Sequence, residues 1–224
     1  MIELAIYDMD RTVTRTGTYT PFLLHAAARL APWRLLLAPA VPFVMAAYAI
    51  KAIDRRRLKE INQRLLLGGG VARARLGPVT ESFADLILKT NIHPGALRQI
   101  AEDKAAGRRL VLATASYRFY VEPIAARLGF DDVIATGSVA GLDDIIHAKI
   151  DGENNYGPAK LRLIEAWMKA QGIKREDARI SFYSDHVSDS PVLDWADEPF
   201  PVNASAKLRR LARKRGWPLL DWGI

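Results

Sequence analysis

Short apolar runs alternate with amphipathic helical patterns through the second half of the chain, and one further apolar run stands at the N-terminus. Five strands are predicted, at 3–8, 108–116, 132–137, 178–185 and 200–205. Four helices are predicted between or after them, at 94–107, 118–129, 157–172 and in a basic stretch that ends at 215. Repeated strand–helix units are typical of a parallel sheet with helices on both faces. The pattern therefore predicts an α/β fold with a Rossmann-like parallel sheet as its core.

The stretch between the first and second strands has a different character. Helical patterns dominate it, at 21–31, 33–52, 55–67 and 71–90. The run GGG at 68–70 is interpreted as a turn between two of these helices. We interpret the whole stretch as a helical insertion after the first strand. The predicted domains are an α/β core of 1–14 plus 93–224 and an all-helical cap of 15–92.

Composition excludes several kinds of site. The chain of 224 residues contains no cysteine, which excludes disulfides, thiol catalysis and thiolate metal sites. Its four histidines are scattered without paired ligand spacing, so no zinc site is expected. The net charge of +7 favours anionic partners. The N-terminus lacks the pattern of a signal peptide, and we expect a cytoplasmic protein, with contact at the inner face of the membrane as an alternative.

Polar and charged residues follow the ends of three predicted strands. Asp8 and Asp10 follow the first strand, Thr114 to Ser116 end the second, and Asp185 and Asp189 follow the fourth. A lysine, Lys160, lies in the first turns of a predicted helix. The carboxyl ends of parallel strands face one crevice, so we expect these side chains to lie together. For each carboxylate the alternative is a cap or turn residue.

This set of side chains is suited to phosphoryl transfer. Neighbouring carboxylates repel one another, and a hard divalent cation relieves the repulsion; Mg²⁺ prefers a few oxygen ligands, waters and a substrate phosphate. A lysine and a hydroxyl bind phosphate oxygens and stabilise the charge of the transition state. One carboxylate can attack phosphorus to give an aspartyl phosphate, and a second can transfer protons.

The same residues resemble the motifs of haloacid dehalogenase superfamily phosphatases, specifically the phosphoserine-phosphatase-like subfamily with a helical cap. The first motif, DxDxT, is Asp8 to Thr12, and the second is an apolar strand that ends at Thr114. The third is a lysine at the start of a helix, Lys160, and the fourth is DxxxD, from Asp185 to Asp189. The resemblance covers essentially the whole chain and implies an Mg²⁺-dependent phosphatase.

The resemblance also implies roles for the acidic residues. Asp8 would be the nucleophile and an Mg²⁺ ligand. Asp10 would be the general acid and base, with its backbone carbonyl on the metal. Asp185 would bind Mg²⁺ directly, and Asp189 would act directly or through water and Lys160.

Phosphate binding is assigned in the same way. The Thr114 hydroxyl and the Ala115 N–H would bind phosphate, and Lys160 would hold both the phosphate and the nucleophile. Three neighbours are less certain members of the site: Thr12, Ser116 and Ser188. Relatives often have asparagine at the position of Ser188.

The cap argues against one substrate. Phosphoserine phosphatases carry a glutamate shortly after DxDxT that receives the substrate amine, and Gly17 occupies that position here. No carboxylate lies between Asp10 and Asp54. The expected activity is therefore hydrolysis of a phosphomonoester other than phosphoserine, either a small molecule or a lipid phosphate. A phosphotransferase with the same intermediate is an alternative, and so is a membrane-associated binding protein with a phosphatase-like fold.

An apolar segment of the cap, 35–50, has 16 uncharged residues between Arg34 and Lys51. It is shorter than the roughly 20 residues of a spanning helix, and Pro39 and Pro42 interrupt it. A buried or partner-facing hairpin is one interpretation. A second is an interfacial segment, since basic residues follow it as far as Lys59, which permits peripheral membrane contact. A true membrane span is the third, and the length and prolines of the segment argue against it.

The C-terminal stretch is also basic, with six Lys and Arg residues between Lys207 and Arg215. We interpret it as a solvated helix docked on the sheet, with a membrane-surface role as the alternative. No nucleic-acid partner is expected, because no DNA-binding signature or aromatic platform accompanies the charge. The oligomeric state is left open by the sequence.

Overall fold

The computed structural model describes residues 1–141 and 144–223. In this part of the chain seven strands form one sheet. The strands are β1 Ile2–Tyr7, β2 Gly70–Ala72, β3 Arg109–Tyr117, β4 Asp132–Ala140, β5 Ile145–Asp151, β6 Ala178–Ser184 and β7 Glu198–Pro201. The α-helices are α1 Tyr19–Leu30, α2 Val41–Ala49, α3 Arg55–Leu67, α4 Arg73–Thr90, α5 Pro94–Ala105, α6 Arg118–Leu128, α7 Pro158–Ala170, α8 Ser190–Trp195 and α9 Ala206–Arg215.

The sheet has the order β2-β5-β4-β3-β1-β6-β7. Five neighbouring strands in this order, β4, β3, β1, β6 and β7, pair in parallel. The other two, β5 and β2, extend the sheet in antiparallel pairing. The first strand of the chain therefore lies inside the parallel region, between β3 and β6, so its carboxyl end opens at the middle of the sheet.

Helices cover both faces of this sheet, which explains why β1 is apolar without alternation. Leu4 and Ile6 pack into a cluster with α7, α8 and α9. Ala5 and Tyr7 pack into a second cluster with α5, α6 and the helices that precede them in the chain. The predicted α/β fold with a Rossmann-like parallel sheet is confirmed. The basic helix α9 is docked through its buried Leu208, as expected.

The inserted helices α1 and α4 meet the core through aromatic side chains. The ring of Phe22 on α1 stacks on that of Tyr120 on α6, with 4.4 Å between centroids. Phe83 on α4 contacts both rings edge-on. All three side chains are fully buried, so this cluster holds the insert over one face of the core.

The prediction of a turn at 68–70 is wrong in part, because Gly70 begins strand β2. That strand pairs with β5, which was not predicted. A Cβ atom at position 70 would lie 2.5 Å from Cγ2 of Ile145, so only glycine permits this approach of the two strands. A second difference is the predicted helix 33–52, which is a 3₁₀ helix over Pro32–Ala40 followed by α2. Pro39 and Pro42 lie at this change.

Candidate active site

A cleft lies at the carboxyl ends of β1, β3 and β6, between the sheet and the inserted helices. Its volume is about 600 Å³. Eight of the ten residues predicted for the site line it: Asp8, Asp10, Thr114, Ala115, Lys160, Asp185, Ser188 and Asp189. The other two, Thr12 and Ser116, donate hydrogen bonds to its carboxylates. The fold thus brings the whole predicted set to one place.

The loop after β1, Met9–Val13, is an irregular turn that directs two carboxylates into the cleft and is closed by a hydrogen bond from the Thr14 N–H to the Met9 carbonyl. Met9 between them is fully buried and packs in the core. The backbone leaves helical geometry at Asp10 (φ −70°, ψ 119°) and is left-handed at Arg11 (φ 66°, ψ 0°). A positive φ is uncommon for arginine and costs backbone strain. This strain is stored where two acidic side chains must face the same cavity.

Lys160 joins two of the strand ends. Its ammonium group donates to Asp8 Oδ1 at 2.7 Å and to Asp189 Oδ2 at 2.6 Å. Burial disfavours the charge, but the two carboxylates outweigh it and raise the pKa of Lys160 above its usual value. Asp189 also accepts from the Ser184 hydroxyl at 2.8 Å. A permanently charged lysine therefore holds one face of Asp8 in a fixed position.

The negative charges of Asp8, Asp185 and Asp189 are only partly compensated by Lys160. Burial, together with the charges of Asp189 and Asp185, raises the pKa of Asp8 to about 7 against the lowering effect of Lys160. Burial and the charge of Asp189 raise the pKa of Asp185 to about 6. The Thr12 hydroxyl lies 3.3 Å from an oxygen of Asp8 and from an oxygen of Asp185. One more cation would stabilise the ionised forms of both carboxylates.

The donor set fits a hard divalent cation. The buried Oδ1 atom of Asp189 has no hydrogen-bond partner in the described part of the chain. An unpaired carboxylate oxygen is costly to bury unless a cation or water satisfies it. In residues 1–141 and 144–223, no three His, Cys, Asp or Glu side chains form a metal-binding group. Mg²⁺ takes few protein carboxylates beside backbone oxygen, water and phosphate.

Asp10 occupies a different environment from Asp8. Its Oδ1 accepts from the N–H and the hydroxyl of Thr18, at 2.6 and 2.8 Å, and its Oδ2 accepts from the Ser116 hydroxyl at 2.7 Å. The N–H of Ser116 in turn donates to Thr114 Oγ1 at 3.1 Å. Asp8 is therefore held mainly by an ammonium group, whereas Asp10 is held by two hydroxyls and a backbone N–H, so the two carboxylates have different surroundings within one cleft.

Lys59 is a residue of the site that the sequence analysis placed only among surface cations. Its side chain enters from α3 and is 5% exposed. The ammonium donates to the Ala115 carbonyl at 2.6 Å and to Asn154 Oδ1 at 3.0 Å, and lies 4.3 Å from the centroid of the Tyr117 ring. Burial, with the charge of Arg55, lowers its pKa to about 7. The insert thus holds the backbone of the predicted phosphate-binding loop.

A signal for Lys59 was present in the sequence. Positions 59, 62, 63 and 66 form one stripe of α3, and all four side chains are buried. Three of these are polar. An inward stripe at i, i+3, i+4 and i+7 is normally apolar, so polar residues there indicate a polar site beneath the helix.

The outer wall of the cleft comes mostly from the insert. Gly17, Tyr19, Tyr48 and Arg55 line it, and the Arg55 guanidinium lies 3.9 Å from the centroid of the Tyr156 ring. No carboxylate of the inserted helices lines the cleft in the part of the chain that the structure describes. A Cβ atom at Gly17 would meet nothing within 4 Å, so that part of the wall is open space.

Comparison with known proteins accounts for this arrangement. A statistical model of the haloacid dehalogenase-like hydrolases matches residues 5–194. The chain belongs to this family. It is 32% identical over 220 residues to the inhibition of morphological differentiation protein of Streptomyces azureus, with 97% of this chain and 78% of that protein covered. The family resemblance and the prediction of an enzyme are thereby confirmed.

Two further similarities extend this picture of the haloacid dehalogenase-like chain. It is 27% identical over 226 residues to the phosphoserine phosphatase SerB1 of Mycobacterium tuberculosis, with 98% of this chain and 71% of that protein covered. A solved structure of a protein of unknown function from Bordetella pertussis Tohama I superposes with a TM-score of 0.88 at 24% identity. That likeness covers 99% of each chain. It shows that the fold, insert included, is shared along its full length.

Proposed function

We propose that this haloacid dehalogenase-like hydrolase is an Mg²⁺-dependent phosphomonoesterase that works through an aspartyl phosphate on Asp8. The observation that carries the proposal is the separation of two carboxylates in one cleft. Asp8 is fixed by the buried ammonium of Lys160, whereas Asp10 is held by the hydroxyls of Thr18, just before α1, and of Ser116 on β3. Phosphatase names among the relatives support the same reaction class.

The chemistry assigned to these residues has two steps. A carboxylate oxygen of Asp8 attacks phosphorus, the bond from phosphorus to the ester oxygen breaks, and Asp10 gives its proton to the departing oxygen. Asp10, now ionised, then takes a proton from water, whose oxygen attacks phosphorus and releases phosphate from Asp8. Lys160 and the Thr114 hydroxyl bind the phosphate oxygens in both steps.

The residues that would hold Mg²⁺ are the carboxylates of Asp8 and Asp185 and the backbone carbonyl of Asp10, with Asp189 acting directly or through water and Lys160. When bound, the cation supplies positive charge to the phosphate oxygens and to the ionised carboxylates. Thr12 orients the carboxylates of Asp8 and Asp185, because its hydroxyl lies 3.3 Å from an oxygen of each and also accepts from the Asp185 N–H at 3.0 Å.

The proposed substrate is not phosphoserine, although one relative carries that name. An ammonium group on the leaving group requires a carboxylate partner, and the wall that faces the leaving group presents Gly17 and Arg55 instead. Arginine beside aromatic rings favours a neutral or anionic leaving group. The proposal therefore extends to phosphate esters without an amine near the ester oxygen.

The test is turnover of an aryl phosphate with Mg²⁺ by the Asp8→Asn variant. Loss of the nucleophile should abolish turnover while circular dichroism and thermal unfolding stay near those of wild type. The exposed Asp177, changed to asparagine, is the matched control and should keep full activity. Wild-type rates in Asp8→Asn would refute the proposed mechanism.

A further inference from the structure

The apolar segment of the insert, defined here as residues 32–50, presents large apolar side chains to solvent. Leu36 is 82% exposed, Ile50 77% and Phe43 76%. Five of the eleven exposed large apolar side chains in the described part of the chain lie in this one segment. Scattered exposed apolar residues are normal, but a concentration of this kind marks a surface that binds something.

The apolar segment is held along the body of the protein. Leu35, Ala38 and Val41 pack against the core on its inner side. The Arg34 guanidinium donates to the carbonyls of Arg64 and Leu65 at the end of α3, at 3.1 and 2.9 Å. The segment therefore shows a packed inner side and an apolar outer side at the same time.

By length and composition alone, Pro32–Ala49 could cross a membrane, since its mean hydropathy is 1.2 and 6% of it is buried. The contacts of its inner side argue for a different placement. A spanning helix would have to release Arg34 and Val41 from the insert, and Pro39 and Pro42 would leave carbonyls without donors in the bilayer. Lying flat on a surface keeps all of these contacts and buries only the outer side.

Charge identifies the surface. Residues 15–92 carry twelve Lys and Arg against four Asp and Glu, a net charge of +8, whereas the rest of the chain has a net charge of −1. No acidic residue lies between positions 11 and 53. Lys51, the residue that follows the apolar segment, is exposed, and so is Arg57 on α3. Two copies of such an insert would repel each other, so an anionic lipid surface matches this face better than a second copy.

We propose that the apolar segment docks the protein on an anionic membrane surface, with the catalytic cleft opening beside the lipid. Tyr48, within the segment, and Arg55, just after it, both line the cleft. Docking therefore places the wall that faces the leaving group next to lipid headgroups. Resting on the proposed function, this assigns the substrate to the class of phosphate monoesters carried by membrane lipids.

Docking is tested by sedimentation with vesicles, without any turnover. Vesicles of phosphatidylcholine mixed equally with phosphatidylglycerol should bind wild type, and vesicles of phosphatidylcholine alone should bind it far less. Added salt should weaken binding to the mixed vesicles. The double variant Leu36→Ser/Phe43→Ser should bind at least about tenfold more weakly, because two large side chains lose their burial in lipid. Lys51→Gln should weaken binding about fivefold.

The controls separate docking from folding and from catalysis. Leu97 lies on α5, outside the insert, and its side chain is exposed to solvent. The Leu97→Ser variant should bind vesicles as wild type does. All these variants should hydrolyse a soluble aryl phosphate at the wild-type rate, since none of the changed side chains lines the cleft. Phosphate release from a lipid phosphate monoester in mixed vesicles should fall most in the double variant, less in Lys51→Gln, and not at all in Leu97→Ser.

Three outcomes would overturn docking: wild type does not bind mixed vesicles, wild type binds both vesicle types equally, or wild type is a dimer in solution whereas the double variant is a monomer. The last would make a second copy the partner. Failure of docking leaves aryl phosphate turnover intact, whereas failure of the proposed function would appear as missing turnover in wild type without vesicles.

Discussion

Changing Lys59 to methionine should make the protein more stable and less active. The charged form of Lys59 is expensive to keep in the fold, because burial and Arg55 lower its pKa from 10.5 to about 7. A difference of that size corresponds to about 5 kcal/mol. The two hydrogen bonds of the ammonium, to Ala115 and Asn154, offset part of this at about 1–1.5 kcal/mol each. In the variant the Thr136 hydroxyl, which lies 2.8 Å from the Ala115 carbonyl and 3.2 Å from Asn154 Oδ1, can donate its one proton to either of these acceptors.

The net gain for Lys59→Met is therefore about 2 kcal/mol in the free energy of unfolding near pH 7. The gain depends on pH in a defined direction. Between about pH 7 and about pH 10.5 the unfolded wild-type chain keeps a proton that the folded chain has lost, so wild-type stability rises with pH. The variant lacks this rise. The difference between the two proteins is thus largest below pH 7 and declines toward pH 10.

Urea unfolding of wild type and variant at several pH values measures the difference in the free energy of unfolding. Aryl phosphate turnover measures the loss of activity. We expect kcat/KM to fall about tenfold, because the Ala115 carbonyl loses the contact that positions the phosphate-binding loop. The exposed Lys89, changed to methionine, is the control and should alter stability by less than about 0.5 kcal/mol. A less stable Lys59→Met at neutral pH, or a pH-independent difference, would refute the reasoning.

Three further changes test other parts of the structure. Lys160→Met should lower kcat at least about a hundredfold, because phosphate and Asp8 lose their fixed cation; a kcat within a few-fold of wild type would contradict this. Gly17→Glu should introduce hydrolysis of phosphoserine, since the side chain enters open space at the cleft wall; wild type should show little, and efficient wild-type hydrolysis would contradict the substrate assignment. Gly70→Val should lower the midpoint of thermal unfolding and cost about 1–3 kcal/mol, since its Cβ would lie 2.5 Å from Cγ2 of Ile145, and an unchanged midpoint would contradict that contact.

The central strands and the place of the site were predictable because their signals are local. Leu4 to Tyr7 form an apolar run that only a strand covered on both faces accommodates, and the structure covers both faces. Asp8 and Asp185 each follow such a strand. The sheet then brings them together, since parallel strands end at the same edge.

Strand β2 and the burial of Lys59 were not predicted, because both depend on contacts between residues that are distant in the sequence. Strand β2 is three residues long and contains Gly70, so it has no local strand signal and forms only because β5 is beside it. Lys59 is charged and follows three arginines, which favours interpretation as a surface residue. Its burial follows from the packing of α3 over the Ala115 carbonyl. The polar stripe of α3 indicates a polar site beneath the helix, but the acceptor of the Lys59 ammonium lies 56 residues away in the sequence.

The most direct test of the mechanism is a pre-steady-state assay of the Asp10→Asn variant with p-nitrophenyl phosphate and Mg²⁺. The nitrophenolate ion leaves without a proton, so attack by Asp8 should proceed, whereas hydrolysis of the intermediate lacks its base. We predict a burst of one nitrophenolate per enzyme, slow release of phosphate, and a phosphoryl group on the peptide that contains Asp8. Release of nitrophenolate and phosphate at equal rates with no burst, or a phosphoryl group on another residue, would contradict the mechanism.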